Sequence, residues 1–196
     1  MRPSSAAVLA IVVLAAFTTW ITWQAKALEK DLDTSSQKIA LLDKPAPDFS
    51  LRSLDGHTVS LADYRGKKKL VLVFWASWNN GSHPEMLLLS ILYRNAHKTD
   101  SEFDVVAISV DDDAAAVGKF VSESKIPFPV VLDHDRKVTD AYQIRSIPTS
   151  LLVGTDGNVS YGTVGLNRRN DMARQLGLGA SDVRMEMRAP NGGRGN

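Results

Sequence analysis

The run Leu70 to Trp75, LVLVFW, restricts the fold of this chain more than any other stretch. It is continuously apolar and rich in β-branched and aromatic residues, so as a strand it carries apolar side chains on both faces and needs cover on both. The flanking pattern supplies that cover. Phe49 to Leu51 and Leu54 to Val59 read as a hairpin about the Asp55-Gly56 turn. Glu85 to His97 has helix length and spacing, Val105 to Val110 is a second buried strand, and Ala114 to Ser124 a helix. A short strand at Val130 to Leu132 and a short helix at Arg136 to Tyr142 follow. Strands Thr149 to Val153 and Val159 to Val164 turn about Thr155-Asp156-Gly157-Asn158, and a helix over Arg168 to Leu176 closes the pattern. This order predicts an α/β fold, a mixed sheet between helices.

The segments PAPDFSLRSLDGHTVSLADYRGK, LVLVFWASW, HPEM, VVAISVDDD, IRSIPTSLLVGTDGNV and VGLNRRNDMARQL, in that order from about Lys44 to Leu176, carry a resemblance. They resemble membrane-anchored thioredoxin-like redoxins of the bacterial TlpA type, a family of thiol-disulfide oxidoreductases. The resemblance implies a thioredoxin-like fold, a central mixed β-sheet flanked by helices and preceded by an N-terminal transmembrane helix. In that family the strand matching LVLVFW leads to a Trp and then Cys-x-x-Cys at the start of a helix. The first thiolate is stabilised by the helix N-terminus, and the second thiol resolves the mixed disulfide.

Here the two cysteine positions fall on Asn79 and Ser82, and the chain contains no cysteine at all. Neither an amide nor a hydroxyl forms a reversible bond to a client sulfur, so thiol exchange, a displaced redox pair and a peroxidatic thiol are all excluded. Two readings of the segment remain. In the structural one, Ser82-His83-Pro84-Glu85 is a capping box with proline in the first turn, and Asn80-Gly81 is a turn pair. In the functional one, free N–H groups and Asn79 form a neutral cradle for a peptide or anion. Ile147-Pro148-Thr149 matches the family's cis proline, which offers a backbone edge to extended clients by strand addition; the plain alternative is a proline shaping the entry to a strand. The expected binding groove is Trp75, Trp78, Asn79, Asn80, Ser82, Ile147, Pro148 and Thr149, with no catalytic residue.

Other features point to structure rather than chemistry. His57, His83, His97 and His134 lack paired zinc spacing, so no metal and no cofactor are expected. Asp111-Asp112-Asp113 follows a strand and precedes a helix, where carboxylates cap, and it lacks the glycine and distal glutamate of a calcium loop. Lys67-Lys68-Lys69 reads as a solvated turn. Asn80-Gly81-Ser82 and Asn158-Val159-Ser160 match the glycosylation triplet, a pattern common in turns. A net charge of +1 gives no field that would gather nucleic acid.

The ends differ from the middle. Ala6 to Trp23 is uncharged and long enough to cross a bilayer core, with Trp20 and Trp23 suited to its interface. We expect a membrane anchor, single-pass, with the domain facing the periplasm or exterior; the competing reading is a signal peptide cleaved after Ala27. Residues 24–43 read as a tether ending at Pro45 and Pro47, residues 44–177 as the redoxin domain, and 178–196 as a flexible tail without sustained apolar period. Two functions follow. One is a non-catalytic, anchored binding or accessory domain whose groove holds a partner protein in an extracytoplasmic redox or assembly pathway. The other is an enzyme that uses His83 and Glu85 on a redoxin scaffold or works through a cysteine-bearing partner.

Overall fold

The computed structural model describes residues 18, 20, 22, 39–97, 101–111, 113–166 and 171–178. The chain divides into two units, Met1–Lys38 and Ile39–Asn196. In the first, Thr18, Trp20 and Thr22 are helical; the remainder of the apolar run Ala6 to Trp23, the tether to Lys38 and the tail after Leu178 lie outside the described residues. No helix among the described residues is long and apolar enough to cross a membrane.

In the second unit, β1 (Ser50–Arg52) and β2 (Thr58–Ser60) form an antiparallel hairpin, followed by a 3-10 turn at Leu61–Asp63. The main sheet runs β5 (Val130–Leu132), β4 (Phe103–Ser109), β3 (Lys69–Trp75), β6 (Thr149–Val153), β7 (Val159–Val164). Strands β3, β4 and β5 are parallel; β6 and β7 reverse. Helices α1 (Ser82–Ala96), α2 (Ala114–Glu123), α3 (Lys137–Ala141) and α4 (Asp171–Gln175) complete the unit. Helix α1 starts three residues before Glu85. Of the closing helix expected over Arg168 to Leu176, Asp171–Gln175 is helical, and residues 167–170 lie outside the described residues.

The central run behaves as its composition requires. Val71, Val73 and Trp75 enter one core with Met86, Leu89 and Leu92 of α1 and Met172 and Ala173 of α4. Leu70, Leu72 and Phe74 enter a second core with Phe49, Val59, Leu61, Val138 and Tyr142. Alternation along one strand therefore fills two layers.

The packed body begins earlier than the boundary placed at Lys44. Ile39 packs against the second core and Leu41 is buried in it, and Val159 N–H donates to Lys44 O at 2.9 Å. Gly162 permits that approach: a Cβ there would lie 2.7 Å from Ile39 Cγ1 and 2.7 Å from Leu151 Cδ2. Five residues assigned to the tether belong to the domain. Their apolar side chains were too few to show a period.

Two phenols, buried Tyr142 and half-buried Tyr64, set the alkaline limit of this unit. Burial first, and then the neighbouring Asp104, push Tyr64 up to about 12; burial also pushes Tyr142 well above the usual phenol range, while its hydroxyl donates to Pro47 O at 2.8 Å. Both folded-state values exceed the unfolded one of about 10, so the native state holds its protons longer than the unfolded state. Stability is therefore complete below about pH 10 and falls as pH rises towards and through 12. Denaturant midpoints measured across that window are expected to drop, and Tyr142→Phe is expected to flatten the drop. An unchanged pH profile in the variant overturns the assignment.

Candidate functional site

Strand β3 delivers the chain to the site, and the loop after it is clasped from beneath. The carboxylate of Asp111, 1% exposed, accepts from Ser77 N–H at 2.8 Å, Ser77 Oγ at 2.7 Å and Ser109 Oγ at 2.7 Å. Three donors on one buried carboxylate fix the entry to the turn. Asp113 caps α2, accepting from Ala115 and Ala116 N–H. The expectation that this acidic run caps a helix thus holds for Asp113, while Asp111 turns inward to hold the loop.

The head of α1 departs from the expected capping box. The cap position is Gly81, and Asn79 Oδ1 reaches forward to accept from Ser82 N–H at 2.9 Å and from Ser82 Oγ at 3.2 Å. Ser82 is fully buried. Glu85, the presumed partner in the box, is also fully buried and accepts from Ser150 Oγ of β6 at 2.7 Å. The physical reason is competition: a strand hydroxyl inside the core draws the carboxylate down, while the carboxamide and carbonyl of Asn79, three residues upstream, accept the Ser82 N–H.

The Ile147-Pro148 peptide bond is cis. Pro148 stands against the turn, since a Cβ built on Gly81 would lie 3.8 Å from Pro148 Cδ. Its carbonyl accepts from Gly165 N–H at 2.8 Å, and Thr149 Oγ1 donates to Ser146 O at 2.6 Å. The backbone of half-buried Ile147 makes no hydrogen bond among the described residues. Of the eight residues expected to line a groove, Trp75, Ser82 and Thr149 are 2% exposed or less, and Pro148 is buried; they form the interior wall rather than the lip. The lip is Trp78, 64% exposed, with exposed Asn80 and half-buried Asn79 and Ile147.

His83 Nε2 lies 2.7 Å from Ser77 O, so that nitrogen carries the proton, and its ring stacks on Phe120 at 4.5 Å. Phe120 in turn packs on Trp75 at 5.0 Å, whose Nε1 is buried without a partner among the described residues. His83 and Glu85 are therefore held by different neighbours and do not converge on one substrate. His97 stacks on Tyr93 at 3.8 Å and lies 3.9 Å from Asp104, while His57 sits in the hairpin and His134 is exposed. Among the described residues no group of three His, Asp or Glu is placed to hold a metal. Ser77, Phe120, the inward turn of Asp111 and the Glu85–Ser150 bond carry no local signal in the sequence. Nothing in DDD marks the first aspartate as the inward one, and Ser150 lies sixty-five positions from Glu85.

A parallel β3–β4–β5 core extended by two antiparallel strands, with a helix head opposed by Pro148, defines a thioredoxin-like domain. The AhpC/TSA family matches residues 42–162, and the chain belongs to it. It is 34% identical over 131 residues to the thiol-disulfide oxidoreductase ResA of Geobacillus kaustophilus, covering 67% of this chain and 74% of that one. The Bacillus cereus ResA is 32% identical over 133 residues, covering 68% and 75%. Among solved structures, a thioredoxin-family thiol:disulfide interchange protein of Chlorobium tepidum superposes with a TM-score of 0.61 at 27% identity, over 68% of this chain and 93% of that one. StoA of Bacillus subtilis shares the fold, with a TM-score of 0.57 at 24% identity over 67% and 97%.

Proposed function

We propose that this protein is a TlpA-type redoxin that binds without redox chemistry: a membrane-associated domain on the extracytoplasmic side that holds a partner's extended segment along Ile147-Pro148. One observation carries the reading. The side chains at the two redox positions bond to each other, Asn79 Oδ1 to Ser82 Oγ at 3.2 Å, and serve the helix end, while the Ile147 backbone beside them is left without a hydrogen bond among the described residues. Strand addition needs only such an edge and a few side-chain contacts, which Trp78 and Asn80 supply. The relatives' activity, thiol-disulfide oxidoreduction, is the scaffold's chemistry and needs thiols this chain lacks. The run Ala6 to Trp23 supports anchoring. Catalysis by His83 and Glu85 draws no support from their separate neighbours.

The test is a trap. Asn79→Cys places one thiol at the helix head, where its thiolate is stabilised and has no resolving partner. In the host membrane this variant is expected to form mixed disulfides with one or a few defined proteins, seen on non-reducing gels and identified by mass spectrometry, and to lose them when Pro148→Thr is added. Indiscriminate adducts, or none from a folded variant, overturn the docking reading.

A further inference from the structure

We propose that Asn80 is a site of self-modification, losing its side-chain amide to attack by the Gly81 backbone nitrogen and turning the lip beside Pro148 from neutral to anionic. Asn80 is exposed, and neither its carboxamide nor the Gly81 N–H makes a hydrogen bond among the described residues. Glycine leaves its nitrogen unshielded by a side chain. The other described asparagines differ on each count. Asn79 is committed to Ser82, Asn95 is half-buried with a partner and precedes Ala96, and Asn158 precedes a β-branched valine with its carboxamide on Asp156 at 2.8 Å.

The step balances with water alone. The Gly81 nitrogen gives up its proton and bonds to Asn80 Cγ, the Cγ–Nδ2 bond breaks, and ammonia leaves. Water then opens the resulting succinimide at either carbonyl, giving an aspartyl or an isoaspartyl residue at position 80. The positive end of the α1 dipole favours the negative charge that develops in the step and persists in the product. The isoaspartyl form also lengthens the main chain by one carbon next to the Asn79 cap and Pro148. If the docking reading holds, the groove thereby changes charge and shape with the age of the molecule.

The purified full chain, incubated at mildly alkaline and at mildly acid pH, is followed by peptide mapping and by enzymatic methylation of isoaspartate. Conversion is expected at Asn80, faster at the alkaline pH and ahead of Asn79, Asn95 and Asn158. Asn80→Gln is expected to abolish it, and Gly81→Ala to slow it roughly tenfold, since a Cβ shields the attacking nitrogen. The Asn191-Gly192 pair in the tail serves as an internal standard: if Asn191 converts while Asn80 keeps its amide in the folded protein, the proposal is overturned. Its regulatory half is read separately, by comparing adduct yield of fresh and aged Asn79→Cys protein. A drop on ageing supports it and an unchanged yield removes it. Failure of the trap in fresh protein counts against docking alone, because the mapping result does not depend on a partner.

Discussion

Asp111→Ala is expected to cost about 3–4 kcal/mol of stability, because it strands the Ser77 N–H and the hydroxyls of Ser77 and Ser109 in a buried site at roughly 1–3 kcal/mol for each unmet group. The hydroxyls rotate and water enters the space left, which holds the sum below the full total. Asp111 is 1% exposed, so bulk solvent does not take over its role directly. For a domain of this size the loss corresponds to a fall in Tm on the order of 10 °C. Asp111→Asn separates the contributions: it keeps one acceptor oxygen but presents an amide N–H₂ to a donor, so an intermediate fall is expected. The same change loosens the turn that carries Trp78 and Asn79, so capture by Asn79→Cys is expected to weaken even at temperatures where the variant is folded. A loss below about 1 kcal/mol in a thermal or denaturant titration would mean that the three donors find other acceptors, and that the clasp is not what orders the site.

What the sequence disclosed and what it concealed divide along chain distance. LVLVFW announced a strand covered on both sides, Asp55-Gly56 and Asp156-Gly157 announced turns, and Ile147-Pro148-Thr149 stood in order with them. Each signal is local: a period, a φ preference or a motif within a few residues. The capping box at Ser82 to Glu85 was equally local, yet it fails because Ser150, on a strand sixty-five positions away, takes the glutamate. Asp111 and Asp113 are indistinguishable in DDD, and only the packing of Ser77 and Ser109 turns one inward and leaves the other at the helix head. Trp75 and Trp78 sit in one tetrapeptide, WASW, and end fully buried and 64% exposed, because strand β3 ends between them. The start of the domain at Ile39 is hidden in the sequence for a different reason. Ile39 and Leu41 gain their burial from Gly162 and the second core, contacts that no window around them contains.

Writing both thiols back, Asn79→Cys with Ser82→Cys, is expected to give this scaffold thiol-disulfide exchange where the native chain has none. The side chains at the two positions already face each other, Asn79 Oδ1 lying 3.2 Å from Ser82 Oγ across one turn of chain. Position 79 is half-buried at the lip and position 82 is fully buried. That asymmetry suits the sequence of events, with an accessible thiolate attacking first and a shielded thiol resolving the mixed disulfide. The helix head lowers the pKa of the first thiol as it would in any such pair. The change costs the carboxamide cap, about 1 kcal/mol, which the intact clasp at Asp111 allows the fold to absorb. The double variant is therefore expected to oxidise to an intramolecular disulfide and to accelerate reduction of a disulfide substrate by a small thiol. Asn79→Cys alone is expected to stall as a mixed adduct, and Ser82→Cys alone, with its thiol shielded, to stay unreacted. Oxidation without turnover would mean that the backbone edge at Ile147-Pro148 no longer accepts an extended chain, and the docking function inferred for the native protein would fall with it. Turnover would locate the divergence of this protein from its relatives at two side chains, with the surface that receives a partner still in place.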